Sequence, residues 1–545
     1  MREFEIISQM QGGPPRERDG NLEQPLAIQN IALTTKFSHD FYPLPLFTLT
    51  GAVQARQPNL HGTTLARAGN ASEILAYVKQ TSPSILALSA PQGTLKTLDE
   101  ILAGLNRFTL EQRPHLILGG GLPTYLAARF FGRYPKLPMT IVGGWGEDAF
   151  AEEVKTHSLV PPIPEQKFIN GRYPKDYPRQ EGVPKKGTVI FHYPRVEASK
   201  GCFWGSCIYC LRPLNEKRGE WQQFQPEDVL AQINNLFDLR YTGYFEFADE
   251  EPVGTSIDRF YRIIGGLAQM KKAYPTFTFG MNMRADHVIS PDPDKQQQYD
   301  DFLRKAKKAG LTTIWMGAES YSNSHLQTLG KGPHVSPEIN LKAARKLDNL
   351  GINVSQGFIP YHPLSNWQEL TEMADFMEPH MSFLARTLGS PFGFLRVQHN
   401  TPYLDSIRAL DSSTTNNHLL LGEFDEDMLI YHCRYQDPSI GLHVAYMWLV
   451  YDWINPLMKQ MGVETLIGDK MRKNRLDGLR LAGLKLFIRC IRQLEPLKED
   501  LPELERQQLR IICEYKEEIS RLGIDVAELD EFIQRKLPIY LDKFL

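Results

Sequence analysis

The stretch SKGCFWGSCIYC, residues 199–210, carries three of the chain's six cysteines, Cys202, Cys207 and Cys210, within nine positions. The other three, Cys433, Cys490 and Cys513, stand far apart in apolar, helix-like surroundings and read as ordinary buried residues. Clustering of this kind argues for a metal in a reducing compartment rather than a disulfide framework. Three thiolates on one short loop can bind three irons of a [4Fe–4S] cube and leave the fourth iron open to a chelating substrate. Zinc is the competing occupant. A structural zinc needs a fourth ligand, here from His192 or a distant cysteine. A catalytic zinc on three thiolates is unusual, and no glutamate stands at deaminase-like spacing beside the loop. Spacing alone leaves both metals open.

Outward from the loop, between Arg195 and about 423, strand-like runs alternate with helical ones. The strands are VEAS, TGYFEFAD, TFTFGMNMR, TTIWMGAES, INVSQGFIP and FGFLRVQ; helices such as PEDVLAQINNLFDL, DDFLRKAKKAG and PEINLKAARKLDNLG lie between them. Six βα units predict a full or partial parallel barrel, with chemistry at the carboxyl ends of its strands. The cysteine loop follows the first strand and so belongs at the barrel mouth. Upstream, residues 158–194 are dense in proline and lysine and read as an extended linker. Before it, in residues 1–157, the apolar runs IQNIALTTK, SILALSA, HLILGGG and MTIVGGWG alternate with helical stretches. That pattern predicts an α/β, doubly wound, Rossmann-like domain whose ligand sits at the strand carboxyl ends. Downstream, residues 424–545 lose the strand signal and predict a helical C-terminal domain.

A chain of 545 residues exceeds what one core supports, in keeping with several domains. Its 42% hydrophobic and 23% charged residues and its net charge of −3 give no basic excess for nucleic acid. The first residues lack the apolar core of a signal peptide, and no later run approaches the length of a membrane span, so a cytoplasmic location is expected.

The cysteine loop resembles that of radical S-adenosylmethionine (SAM) enzymes, normally Cys-x3-Cys-x2-Cys with an aromatic before the last cysteine. Here the first gap is one residue longer. The likeness of Gly201, Cys202, Trp204 and Gly205 is to a GC-x-WG form found in radical SAM proteins that modify ribosomal peptides. Features downstream fall in the family's order. Phe247-Ala248-Asp249-Glu250 resembles the motif that holds the methionine amino group. Arg284 resembles the arginine that pairs the SAM carboxylate, a task suited to a guanidinium fork. Glu319 and Ser320, in MGAESYSNSHLQTLGKG, resemble residues contacting the ribose or amino acid, and Tyr209 is expected near the adenine. GINVSQGFIPYHP resembles the fifth-strand signature with Tyr361 in place of glycine, and Thr401-Pro402 follows the sixth strand. Tyr361, counted in the catalytic set, and His362 are expected to face substrate. The aromatic series Tyr446, Trp448, Tyr451 and Trp453 is expected to be helix core rather than a substrate surface.

The N-terminal domain resembles the cobalamin-binding domain upstream of many radical SAM barrels. Ser89, Thr94, Gly119, Gly120 and Gly121 are the expected contacts to the nucleotide tail, with Gly143 and Glu147 in the last glycine-rich turn. The Asp-x-His-x-x-Gly motif that supplies a lower cobalt ligand elsewhere is absent. The resemblance thus implies one [4Fe–4S] cluster, SAM and cobalamin, a flavodoxin or ferredoxin as reductant, and a small-molecule or peptide substrate. In this architecture one SAM recharges cobalamin with methyl and another yields the 5′-deoxyadenosyl radical that abstracts hydrogen. Methylation of an unactivated carbon is the implied reaction; cyclisation, rearrangement or oxidation is the alternative, and a non-catalytic metal-binding module a remote one.

Overall fold

The computed structural model describes residues 4–10, 17–18, 21–22, 28–34, 42–56, 63–157, 165–188, 193–211, 221–255, 257–332, 334–413, 419–465 and 470–545. His192 lies outside them.

The N-terminal strands are β1 (Phe4–Met10), the short pair β2 (Glu17–Arg18) and β3 (Asn21–Leu22), β4 (Ile28–Leu33), β5 (Thr63–Ala68), β6 (Ile85–Ser89), β7 (His115–Gly119), β8 (Met139–Gly144) and β9 (Gln166–Gly171). Seven of them form one sheet in the order β1-β5-β4-β6-β7-β8-β9, in which only β1 runs antiparallel. Alternate residues feed two cores: Leu86, Leu88, Leu116 and Leu118 point to one face, Ile85, Ala87 and Ile117 to the other. This two-sided burial is why the strands read as unbroken apolar runs. Two strands escape that signature. β5 contains Arg67, buried because Glu5 on β1 pairs with it at 2.6 Å. β9 lies within the stretch read as an extended linker; it pairs in parallel with β8 at the sheet edge, and its exposed positions hide the period.

The next strands are β10 (Arg195–Val196), the hairpin β11 (Ser199–Gly201) and β12 (Trp221–Gln223), β13 (Tyr244–Phe247), β14 (Thr278–Met283), β15 (Leu311–Glu319) and β16 (Asn353–Phe358). A partial barrel sheet runs β10-β13-β14-β15-β16, all parallel. The expected sixth strand, FGFLRVQ, is reduced to one isolated parallel bridge, Tyr361 to Phe394, with a second, Gln356 to Leu388, just before it. Pro391 lacks an amide donor, and a Cβ at Gly393 would come within 2.8 Å of the Phe358 carbonyl, so no continuous ladder forms. The chain then enters a three-stranded antiparallel sheet of β17 (Val397–Gln398), β18 (Leu421–Asp425) and β19 (Ile430–Cys433). β19 lies beyond 424, where only helices were expected.

The rest is helical: Pro438–Thr465, Lys470–Leu494, Leu501–Arg521 and Leu529–Phe544. These helices share one core with Tyr321, Phe358, Tyr361 and Trp367 of the barrel. Tyr446 is buried there, and Trp448, Tyr451 and Trp453 pack against the same cluster. Cys433 and Cys490 are buried, but Cys513 is exposed, against expectation. Its helix turns that edge to solvent. No helix among the described residues is long and apolar enough to cross a membrane.

The turn of the β18–β19 hairpin plugs the N-terminal domain. Leu429 is fully buried in that domain's core. The Asp427 carboxylate accepts from the Leu95 amide at 2.8 Å, capping the helix Leu95–Leu105, and its carbonyl accepts from the Gly93 amide at 2.9 Å. Glu426 pairs with Arg129 at 3.1 Å.

Candidate active site

The cysteine loop leaves the barrel between β11 and β12, whose antiparallel pairing joins Gly201 to Trp221. Its middle is pinned by backbone bonds: the Ile208 amide donates to the Leu329 carbonyl at 3.3 Å, and the Tyr403 amide to the Ile208 carbonyl at 3.0 Å. Gly330, in a left-handed conformation (φ 73°), makes this approach feasible, because a Cβ there would lie 2.3 Å from the Ser206 carbonyl oxygen.

Cys202, Cys207 and Cys210 are half-buried and line one cavity of about 320 Å³ at the carboxyl ends of the barrel strands. Tyr209, Glu250, Arg284 and Glu319 line it too. Arg284 spans the Asp286 carboxylate with Nε at 2.9 Å and Nη2 at 2.7 Å, and its guanidinium lies 3.9 Å from the centre of the Trp204 ring. Burial opposes its charge, but Asp286 holds the guanidinium pKa above its ordinary value. Glu319 ends β15 at a bulge with φ 62°, a strained conformation for a non-glycine residue. Its Oε1 sits 3.2 Å from Nζ of the buried Lys331. Burial disfavours the ammonium, but Glu319 and then Cys207 raise its pKa, keeping it charged. Burial, and then Glu319, push the Tyr209 phenol well above its usual range.

Other expected contacts lie behind the cavity wall. Phe247 is wholly buried in the barrel core. Asp249 accepts from the Ala198 amide at 2.9 Å and from the Ser199 hydroxyl at 2.5 Å, so it braces the base of the cysteine loop. Burial pushes its carboxyl up to about 7. Ser320 is buried and accepts from the Ser322 amide at 3.1 Å. Tyr361 and His362, expected to face substrate, are fully buried. The Tyr361 hydroxyl lies 3.0 Å from His443 Nε2, and His443 Nδ1 lies 2.8 Å from Gln508 Oε1, so Tyr361 ties the barrel to the C-terminal helices. The strand end turns these side chains into the core shared with those helices.

Sequence reasoning missed Lys331 and Glu251. Glu251 accepts from the Arg284 amide at 3.1 Å and faces His287 Nδ1 at 3.2 Å. Although burial opposes it, Glu251 raises the His287 pKa. The signal for both was adjacency: Glu251 follows the motif ending in Glu250, and Lys331 follows Gly330 in the fourth-strand segment.

A second cavity, of about 220 Å³, lies at the carboxyl ends of β6, β7 and β8, and Glu197 and Lys200 of the barrel domain complete its wall. Ser89, Gly119, Gly120 and Glu147 line it. Thr94, Gly121 and Gly143 do not: Thr94 is buried with its hydroxyl on the Pro91 carbonyl at 2.6 Å, Gly121 opens a short helix, and Gly143 abuts Phe168. Lys200 is buried with Nζ 2.8 Å from Glu147 and 2.9 Å from Glu197, above the Trp145 ring. Burial disfavours the Lys200 charge, but the two carboxylates raise its pKa above the ordinary value. Tyr125 ends the short helix Gly121–Tyr125 after β7. Burial, and then the nearby Cys210 sulfur, raise its pKa.

The parallel barrel and its three-thiol loop define a radical SAM domain. Residues 196–377 match the Radical SAM superfamily, and this segment is a radical SAM domain. Such a domain takes SAM and a [4Fe–4S] cluster. Three thiols open to one cavity suit a cluster with one open iron, and among the described residues no fourth cysteine joins them to complete a structural zinc site. The 4′-phospho-dehydrooxetanocin synthase of Priestia megaterium is 26% identical over 349 residues, covering 58% of this chain and 45% of that protein. The chain thus spans about half the length of the curated relative it matches. In fold it is similar to the cobalamin-dependent S-adenosylmethionine radical enzyme OxsB solved with aqua-cobalamin, at TM-score 0.71 and 19% identity over 95% of this chain and 83% of that one. It is also similar to the radical SAM methyltransferase TsrM of Kitasatospora setae, solved with cobalamin and a [4Fe–4S] cluster, at TM-score 0.52 and 14% identity over 72% of this chain and 76% of that one.

Proposed function

We propose that this chain is a cobalamin-dependent radical SAM enzyme that methylates an unactivated carbon of a natural-product or peptide intermediate in the cytoplasm, with a flavodoxin or ferredoxin as reductant. Cys202, Cys207 and Cys210 would hold the cluster. Arg284 would turn its fork toward the SAM carboxylate, and Glu319, paired with Lys331, would accept from SAM hydroxyl or amino groups. Ser89, Gly119, Gly120 and Glu147 would border the nucleotide tail of cobalamin. When bound, these groups supply reductive cleavage of SAM to a 5′-deoxyadenosyl radical, and a methyl carrier beside it. The chain's own part is to place charge and exclude water. Trp204 backs the Arg284 guanidinium, Asp249 fixes the loop base, and Lys200 pairs with two carboxylates in the wall of the second cavity.

One observation carries this reading: three thiols, a guanidinium and a carboxylate–lysine pair converge on one cavity, and a second, glycine-edged cavity opens across the domain boundary. A second reading, rearrangement or oxidation without methyl transfer, is favoured by the name of the matched relative, a 4′-phospho-dehydrooxetanocin synthase rather than a methyltransferase. The test is anaerobic reconstitution with iron, sulfide and cobalamin, followed by SAM and a reductant. Methylation yields 5′-deoxyadenosine together with S-adenosylhomocysteine; the second reading yields 5′-deoxyadenosine without it. A cluster-free protein with bound zinc and no 5′-deoxyadenosine overturns both.

A further inference from the structure

Behind the wall of the active site, three polar side chains from separate segments meet in the interior. His325 comes from the short helix after β15, His362 from the segment after β16, and Glu369 from the helix Trp367–Met377. Their exposures are 0%, 0% and 5%. Ligand atoms of the three lie within 4.8 Å of one another. Among the described residues, four of these buried atoms lack a hydrogen-bond partner: both ring nitrogens of His325, Nε2 of His362 and Oε2 of Glu369. A buried polar group without a partner is destabilising, and more so when charged, so four in one place call for a ligand that satisfies all of them. The His362 Nε2 to Glu369 Oε2 distance, 3.4 Å, is too long for a good N–H···O bond. It matches the separation of about 3.3 Å between donors that share a tetrahedral ion at zinc bond lengths.

We propose that His325, His362 and Glu369 form a buried site for a divalent transition-metal ion of zinc's class, separate from the cysteine loop. Two imidazoles and one carboxylate are a borderline donor set that zinc accepts. His362 Nδ1 accepts from the Leu364 amide at 3.2 Å and lies 2.9 Å from the Tyr403 hydroxyl; ligation through Nε2 would move the proton to Nδ1, which would then donate to that hydroxyl, and leave the Leu364 amide to donate to the same hydroxyl. The ion ties together the segments that seat the cysteine loop, since Leu329 and Tyr403 are its backbone anchors. A second buried group, His115, Glu153 and His157, serves as a control, because there Lys167 already pairs Glu153 at 2.7 Å.

The test measures zinc and iron in the purified full-length protein and records the zinc K-edge absorption. The expected result is stoichiometric zinc with only nitrogen and oxygen neighbours at about 2.0–2.1 Å. His325→Ala and Glu369→Gln lose that zinc while His115→Gln keeps it. Wild-type protein without zinc overturns the proposal, as does zinc with sulfur at about 2.3 Å, which places it on the cysteines. Loss of zinc from His115→Gln but not from His325→Ala overturns it too. Should the interior variants fail to fold, the wild-type spectrum and the His115→Gln measurement still decide. Iron content and 5′-deoxyadenosine yield are read separately, so this proposal and the proposed function stand or fall apart.

Discussion

Lys331 and Glu319 are twelve residues apart in sequence and meet only through the bulge at the end of β15, which is why Glu319 was readable as a strand-end carboxylate and its partner was not. Removing one member of a buried ion pair leaves an uncompensated charge and costs about 3–5 kcal/mol. Lys331→Met is therefore expected to lower 5′-deoxyadenosine formation by about two to four orders of magnitude, with iron content unchanged; product analysis alongside an iron assay checks it. Tyr361 was misread for the opposite reason: its strand-end position suggested the cavity, but its partners arrive from the C-terminal helices, whose docking no local pattern announces. That network also sets a pH limit. Burial pushes His443 down to about 4, below the ordinary histidine value near 6.5, so the folded state holds the neutral ring. The associated stability is present above pH 6.5 and is lost as the pH falls toward 4, up to roughly 3 kcal/mol at about 1.4 kcal/mol per unit. His443→Gln should flatten thermal stability across that window, as melting curves between pH 4.5 and 7 would record.

Among the elements, buried parallel strands such as β6 and β7 were plain in the sequence because two apolar faces leave no room for polar residues. β5, β9 and the sixth barrel position were not, since Arg67 is neutralised by a distant strand, β9 lies at an edge, and Pro391 with Gly393 breaks the last ladder. The β18–β19 hairpin could not be foreseen, because its role is to fill another domain. Leu429→Ala should cost about 2–5 kcal/mol of docking and Asp427→Ala about 1 kcal/mol through the lost cap. Hydrogen exchange should then rise in the helix Leu95–Leu105 before it rises in the barrel strands.

For the whole molecule, the division into a doubly wound sheet, a partial barrel and a helical remainder follows from sequence period, but the joints between them are made by single buried residues. Lys200 is the principal one. Lys200→Met would leave Glu147 and Glu197 buried side by side without a counter-charge, and burial already raises the Glu197 pKa. Cobalamin retention relative to iron, read by absorbance after gel filtration, should fall at neutral pH and recover as the pH drops and one carboxylate takes up a proton. The hairpin plug has a consequence in time. The first domain of the chain cannot finish its interior until residue 429 has left the ribosome, some 270 positions after that domain's own last helix. Its closure is thereby delayed until the barrel that it must face has been made.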